Sequence, residues 1–297
     1  FRSHWLSLFD VDRSCILDPL TQPLPFTPFK DFTGRSINEI NLYSTEMSSA
    51  LCSIDRVSAS ANMNNRLSEA IVEAYKSTNG APISFELMLK CYQSRMKDAN
   101  NDDSISSVLK QLVNAHIFES EDKVSLIDDS YIIKMDGYPK DGPIAKAIVY
   151  FLMSKLNNIY ELLDKQAVND EVVQIRHFSI IDEAHYMLDF DNRPLRNLIA
   201  VGRNKGLSII LATQNMSSFK SKGFDFYANA QYPLIMKQQT IDDKVIKDLF
   251  GVSGQELQEI RTAIAGLQKG ELIIKDQMAF ALGMGNKYKK INVTHLI

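Results

Sequence analysis

The feature that most constrains this chain is a pair of apolar runs that each lead into polar residues. FSII (178–181) leads into an Asp-Glu pair (182–183), and LSIILA (207–212) leads into a Thr-Gln pair (213–214). Such continuous runs predict strands buried on both faces, because a strand with one solvated face alternates polar and apolar residues. A helical pattern separates the two runs, and alternating strands and helices predict an α/β fold. The expected sheet is parallel, with helices on both faces.

The first part of the chain has a different sequence pattern. Four prolines between residues 15 and 29 predict an extended segment that runs over the surface. Apolar residues at helical spacing then predict three helices, of which the second has Ser84 as its N-cap. These three helices are predicted at 62–77, 85–96 and 102–118.

From about residue 131 strands and helices alternate. A long helix is predicted at 142–165, with a proline in its first turn, and the chain closes with two paired strands, GELIIKD (270–276) and MAFALGMG (278–285). The pattern therefore predicts three segments along the chain. They are a proline-rich segment with a first helix (1–54), a helical insertion (55–130) and an α/β core (131–297).

Composition restricts the class of protein. The chain has 297 residues, 45% of them hydrophobic, and a formal net charge of −3, so any contact with nucleic acid requires a local basic patch. The three widely spaced cysteines form no CxxC pair and indicate reduced thiols in a cytoplasmic protein. The longest apolar runs fall short of the roughly 20 residues that a membrane-spanning helix needs, so no membrane partner is expected.

The Asp-Glu pair suits phosphate hydrolysis. Carboxylates at the C-terminal edge of a parallel sheet lie where ligands bind in such folds. Asp182 would hold the Mg²⁺ shell, and Glu183 would orient and deprotonate the attacking water. The alternative is that Asp182 only caps a following helix.

Two further side chains extend this hypothetical site. Gln214 would end the strand next to that of Asp182, where its amide can sense the γ-phosphate and the attacking water. Arg203 stands in a short turn between two glycines and could stabilise charge on a phosphoryl group bound by the next subunit. The alternative for Arg203 is an ordinary solvated surface charge.

Residues 182–185 spell DEAH, the motif of a large helicase class. Helicases of that class need a second RecA-like domain with an arginine-rich motif. Too few residues follow Gln214 for such a domain, and no QxxGRxGR-like run is present. The spelling is therefore interpreted as a coincidence, and His185 as an incidental residue.

The order IIDEAHYML, LRNLIAVGRNKGLSIILATQN, FYANAQYPLIMKQ and LQKGELIIKD, between about 131 and 285, resembles the HerA/FtsK superfamily of DNA-pumping ATPases. The proline-rich segment followed by helices is similar to the conjugation-type members, and still more to the ATPase of phosphorothioation-dependent DNA restriction systems. The resemblance implies a RecA-like P-loop NTPase core, a hexameric ring, ATP with Mg²⁺ and double-stranded DNA. It also implies Asp182 in the metal shell, Glu183 as the base, Gln214 as the sensor and Arg203 as the trans-acting finger.

One element of such ATPases is missing from the sequence. No G-x4-G-K-[ST] phosphate-binding loop is present, and the spacing of Gly137 and Gly142 is followed by Pro143 and Ile144, which offer neither lysine nor hydroxyl. The chain is therefore interpreted as the C-terminal part of a larger translocase or helicase, nearly inactive alone and working with other subunits of a restriction or defence complex. The alternative is a non-catalytic ATPase-like subunit that acts as an assembly or DNA-binding module.

Two regions are candidates for DNA contact. The helices near 83–135 could form a winged-helix reader with Lys90, Arg95, Lys97 and Lys110, but the acidic residues among them favour an ordinary insertion. Three lysines near the end of the chain, named the closing lysines, are the second candidate: Lys287, Lys289 and Lys290. A lysine-rich edge can also simply protect a strand from unwanted pairing.

Overall fold

The computed structural model describes residues 16–54, 59–98, 101–169, 172–188, 190–214, 216–221, 224–282 and 287–293. The described residues form two compact units. The larger unit comprises residues 16–179 and 190–210, and the smaller unit comprises residues 180–188 and 211–293. Cys15 lies outside the described residues, whereas Cys52 and Cys91 are free thiols. Burial raises the pKa of the Cys52 thiol to about 12.

The proline-rich segment contributes to the core of the larger unit. It begins with strand β1 (Ile16–Leu17), which pairs in parallel with β2 (Ile132–Ile133). Leu24, Phe26 and Phe29 are buried. The prediction that this segment runs over the surface was wrong, because the apolar residues between its prolines are directed inward.

Four helices follow, and their polar caps explain where they begin. They are α1 (Ile37–Ile54), α2 (Ala61–Ser77), α3 (Phe85–Gln93) and α4 (Ser104–Ala115). The Ser84 side chain accepts a hydrogen bond from the Leu87 backbone at 3.2 Å, which confirms the predicted N-cap. Asp103 and Ser106 form a reciprocal capping box at the start of α4. The three helices predicted from periodicity are therefore confirmed, with ends shifted by a few residues.

A long buried helix, α5 (Pro143–Leu162), completes this core. It starts at the predicted proline, whose missing N–H is not needed in the first turn. Phe151 meets the rings of Phe29, Phe85 and Phe118 edge to face, with centroid distances of 5.6 Å, 5.2 Å and 5.8 Å. The proline-rich segment, the helical segment and α5 thus share one aromatic core.

The remaining elements of the larger unit precede the two apolar strands along the chain. A short antiparallel pair, β3 (Val168–Asn169) and β4 (Val172–Val173), precedes β5 (His177–Ile181). Helix α6 (Arg193–Val201) and a 3₁₀ turn (Gly202–Lys205) precede β6 (Leu207–Leu211). The strands β5 and β6 end in the smaller unit.

Strands β5 and β6 pair in a two-stranded sheet. At their starts the Arg176 backbone donates to the Gly206 carbonyl at 2.7 Å, and at their ends the Ala212 backbone donates to the Ile181 carbonyl at 2.9 Å. Starts pair with starts and ends with ends, so the strands are parallel, as predicted.

The faces of this sheet differ from the prediction. Phe178 is 55% exposed and Ile180 is 69% exposed, although both belong to the apolar run of β5. Within the described residues, helices therefore do not cover both faces of β5.

The smaller unit is built around an antiparallel sheet. Its 3₁₀ turns are Ala184–Met187 and Met216–Phe219. Its strands are β7 (Lys220–Ser221), β8 (Phe224–Asp225), β9 (Leu234–Met236), β10 (Glu271–Lys275) and β11 (Tyr288–Asn292). Its helices are α7 (Phe226–Asn229), α8 (Asp243–Phe250), α9 (Gly254–Ala265) and α10 (Gln277–Leu282). Strands β9, β10 and β11 pair in the order β11-β10-β9. Ile235 and Ile273 pack from this sheet into a core with Phe250, Ile260 and Ile264 of α8 and α9.

The closing pair of strands was predicted incorrectly. Residues 277–282 form α10, and β10 pairs instead with β11, which places Leu272 opposite Ile291. Methionine, alanine and leucine are good helix formers, and their apolar character alone does not distinguish a short helix from a strand. Residues 283–285 of the predicted strand lie outside the described residues.

No helix among the described residues is long and apolar enough to cross a membrane.

Candidate functional site

The ends of β5 and β6 bring two short polar segments together in the smaller unit. Beyond the last strand bond, the Ala184 backbone donates to the Ala212 carbonyl at 2.8 Å. This bond holds the turn after β5 against the residues that follow β6. Residues 182–185 and 213–214 are therefore neighbours, as the two polar strand ends predict.

Asp182 lies directly after β5 with an exposed side chain. Its Oδ1 accepts a hydrogen bond from the Glu183 backbone at 2.9 Å. The turn that follows is a 3₁₀ helix of four residues, whose N-cap position belongs to Glu183 and has no side-chain cap. The geometry therefore does not favour the alternative in which Asp182 serves only as a helix cap.

Glu183 has an uncommon backbone conformation. Its φ of 52° lies in the left-handed region, where a side chain is crowded by the following carbonyl. The Gln214 amide donates to Glu183 Oε1, so the residue expected to act as base and the residue expected to act as sensor are in direct contact. Residues in strained backbone conformations cluster at active sites.

Two residues that the sequence analysis left without a role complete this cluster. His185 Nδ1 lies 3.4 Å from Glu183 Oε2 and 3.2 Å from Thr213 Oγ1. The interpretation of His185 as incidental overlooked these contacts. The sequence shows that His185 follows Glu183 by two residues, but it does not show the contact of His185 with Thr213.

Arg203 belongs to the larger unit. It lies in the 3₁₀ turn before β6, and its side chain is exposed. The turn itself is well anchored: Lys205 Nζ donates to the Tyr160 carbonyl at 2.6 Å, and the Gln166 backbone donates to the Asn204 carbonyl at 2.9 Å. Within the described residues Arg203 makes no ion pair. A fixed turn thus presents a guanidinium that is open to solvent.

The closing lysines are each paired with a carboxylate. Lys287 lies 3.2 Å from Glu256, Lys289 lies 2.9 Å from Asp276, and Lys290 lies 2.7 Å from Glu271. The hydrogen bond from Lys290 is the main cause that lowers the pKa of Glu271. All three pairs are on the surface, where such pairs are weak, so a polyanion could compete for these lysines.

Two of the four basic candidates of the helical segment, Arg95 and Lys110, are also paired with carboxylates. Arg95 forms ion pairs with Glu69 and Glu73, and Lys110 lies 2.7 Å from Asp102. Residues 117–131, all of them described, form turns and a single bridge rather than the hairpin of a winged helix. These contacts agree with an ordinary helical segment.

The site fits one hydrated magnesium ion better than a metal held by protein alone. Among the described residues, no group of three or more His, Cys, Asp or Glu could hold a metal ion. Mg²⁺ usually keeps several waters and binds through one or two carboxylates together with substrate phosphates. The exposed carboxylate of Asp182 meets that requirement.

Comparison with known proteins identifies the fold. No protein family and no curated protein matches this sequence. Among solved structures, VirB4 of Thermoanaerobacter pseudethanolicus is similar with a TM-score of 0.60 and 15% identity, over 98% of this chain and 78% of that protein.

Structures of the plasmid coupling protein TrwB are similar as well. The bacterial conjugative coupling protein TrwBdeltaN70, in a form with sulphate, gives a TM-score of 0.56 at 14% identity, over 97% of this chain and 75% of that protein. TrwB in complex with ADP and Mg²⁺ gives a TM-score of 0.54 at 13% identity over the same shares. At these identities the likeness concerns the fold. The α/β fold and the similarity to conjugation-type proteins, both expected from the sequence, are thereby confirmed at that level.

Proposed function

We propose that this chain belongs to a ring-forming, ATP-driven motor that moves double-stranded DNA. The observation that carries the proposal is the contact between Glu183 and Gln214 beside Asp182, at the ends of two parallel strands. The fold supports it, because TrwB, a protein of similar fold, has been solved with ADP and Mg²⁺ and with an ATP analogue.

In this proposal each side chain of the cluster has one task. Asp182 would hold the hydration shell of Mg²⁺. The ion, when bound, would neutralise charge on the phosphates. Glu183 accepts a proton from the attacking water, and Gln214 both orients Glu183 and senses the terminal phosphate. The phosphate-binding loop that this sequence lacks has to be supplied by another segment of the protein or another subunit.

Assembly into a ring would give further residues of this chain a role. Arg203, exposed on its anchored turn, reaches the nucleotide of the neighbouring subunit in a hexamer, and the closing lysines contact double-stranded DNA. Residues 131–297 supply the ATPase core, residues 55–130 an inserted helical segment, and residues 1–54 the proline-rich segment. All of these assignments depend on the hydrolytic role of the cluster.

The decisive experiment measures ATP hydrolysis by the complete protein that contains this chain, with and without linear double-stranded DNA. Glu183→Gln should lower turnover by about 10²–10⁴-fold while leaving MgATP binding intact, because the amide keeps the shape of the carboxylate but cannot accept the proton. Glu259→Gln, the same change on an exposed residue of α9, is the matched control and should leave turnover unchanged.

ATP-dependent displacement of a third strand from a DNA triplex then tests movement along DNA. A complete protein that binds but does not hydrolyse ATP would favour the alternative, a non-catalytic subunit that serves assembly or DNA binding. Hydrolysis without strand displacement would retain the ATPase and reject the motor.

We further propose bacterial DNA restriction or anti-phage defence as the setting, with other subunits of such a complex as partners. The support for this step is the sequence resemblance to the ATPase of phosphorothioation-dependent restriction. A strain that lacks the protein should lose restriction of incoming DNA. Loss of conjugative transfer with restriction unchanged would assign the protein to conjugation instead.

A further inference from the structure

The environment of His185 connects the hypothetical base to the end of the neighbouring strand. Nδ1 of its ring lies 3.4 Å from Glu183 Oε2 and 3.2 Å from Thr213 Oγ1. The ring of Tyr186 lies against the imidazole, with a centroid distance of 4.1 Å and an angle of 37° between the planes. The side chain of His185 is 28% exposed and that of Glu183 is 22% exposed, so solvent only partly screens the contact.

We propose that His185 is a positioning residue for Glu183, and that Nδ1–H is the group through which it acts. The proposal rests on the hydrolytic function proposed above. In this arrangement Gln214 hydrogen-bonds one oxygen of the carboxylate, and Nδ1 of His185 lies within ion-pair distance, 3.4 Å, of the other. Both supports lead to the end of β6, directly through Gln214 and indirectly through the contact of His185 with Thr213.

The two neighbours of Nδ1 determine which nitrogen carries the hydrogen. An ionised carboxylate can only accept hydrogen bonds, and a threonine hydroxyl can accept as well as donate. A bare Nδ1 lone pair would face Glu183 Oε2 and repel it, whereas Nδ1–H is attracted to both neighbours. The hydrogen therefore belongs on Nδ1.

Two supports still leave the carboxylate able to work. Each carboxylate oxygen has two lone-pair sites, so even a hydrogen bond to each oxygen would leave a site that can receive a proton from water. What the supports remove is rotation of the carboxylate about its last bond. Misplacement of a reacting group by about 1 Å can cost on the order of 100-fold in rate, so orientation of the base matters for turnover.

Substitutions that keep one or the other ring nitrogen separate this role from simple packing. In His185→Asn the amide nitrogen replaces Nδ1, and in His185→Gln it replaces Nε2. In the complete protein, His185→Asn should keep most of the turnover, while His185→Gln and His185→Ala should lower kcat by about 10–100-fold without weakening MgATP binding. Thr213→Ser should resemble wild type and Thr213→Val should resemble His185→Gln, because only serine keeps the hydroxyl.

A second measurement does not depend on activity. Solid-state NMR on protein with labelled histidine reports which ring nitrogen carries hydrogen, and His185→Ala identifies the signal. A hydrogen on Nδ1 is expected, and a hydrogen on Nε2 alone would overturn the proposal. So would a fully active His185→Ala variant, or equal losses in His185→Asn and His185→Gln. A wild-type protein without ATPase activity would instead reject the proposed function itself, and the positioning role with it.

Discussion

Because the backbone of Glu183 is left-handed, we expect Glu183→Ala and Glu183→Gly, which both lack the carboxylate, to differ in stability. Glu183→Ala keeps the crowding at φ = 52°, whereas Glu183→Gly removes it. Left-handed conformation costs a residue with a side chain roughly 1–2 kcal/mol. The greater conformational freedom of glycine in the unfolded chain lowers the stability of the glycine variant by about 0.4–1 kcal/mol. The glycine variant should therefore be more stable by about 1 kcal/mol.

Thermal unfolding measures this difference. About 1 kcal/mol corresponds to a change in Tm of about 2–4 °C for a domain of roughly 150–250 residues. The matched control is the same pair of substitutions at Glu259, inside helix α9. There alanine should be the more stable variant, by about 1 kcal/mol, because glycine is a poor helix former. The expected result is thus a reversal of sign between the two positions.

Equal Tm values for Glu183→Gly and Glu183→Ala, or a higher value for alanine, would refute the reasoning, provided that Glu259 gives the expected order. Glu183 would then not carry a strained backbone. Neither variant should hydrolyse ATP, since both lack the carboxylate. A stabilised but inactive glycine variant would show that the site keeps this conformation at a cost in stability.

Three further predictions follow from other parts of the structure. Rings of Arg203→Ala and rings of Glu183→Gln should each be inactive. Mixing the two kinds of subunit should restore part of the ATPase activity if Arg203 acts on the neighbouring subunit, whereas no recovery would show that it acts within its own subunit. Gly206→Ala should lower Tm by several degrees, since φ is +82° and a Cβ atom would lie 2.8 Å from the Gln174 carbonyl oxygen, and an unchanged Tm would contradict this. Replacing the closing lysines by glutamine should weaken binding to double-stranded DNA and reduce its salt dependence, and an unchanged salt slope would exclude them from the contact.

The helices and the strand ends could be predicted because local rules determine them. Apolar spacing and the capping side chain of Ser84 define α3 from a few neighbouring residues. Polar residues after two apolar runs similarly predict that Glu183 and Gln214 lie close together, because parallel strands end at the same edge. These parts of the fold and site require no knowledge of distant contacts.

The parts that could not be predicted depend on such contacts. Residues 277–282 are apolar enough for either a strand or a helix, and the choice depends on β11 taking the place beside β10. His185 shares its turn with Glu183, but its contact with Thr213 joins residues that are 28 positions apart. Residues 182–185 match the DEAH motif of a helicase class to which this chain is not assigned. That match gives no information about the contacts of His185.

The shared aromatic core of the larger unit affects how this protein can be altered. Phe29 of the proline-rich segment, Phe85 and Phe118 of the helical segment, and Phe151 of α5 contact one another across more than a hundred positions of sequence. The helical segment therefore cannot be removed without damage to this core, since Phe29 and Phe151 would lose their contacts with Phe85 and Phe118. During synthesis on the ribosome, this core cannot close until α5 has emerged, so Phe29, Phe85 and Phe118 lack their contacts with Phe151 until then.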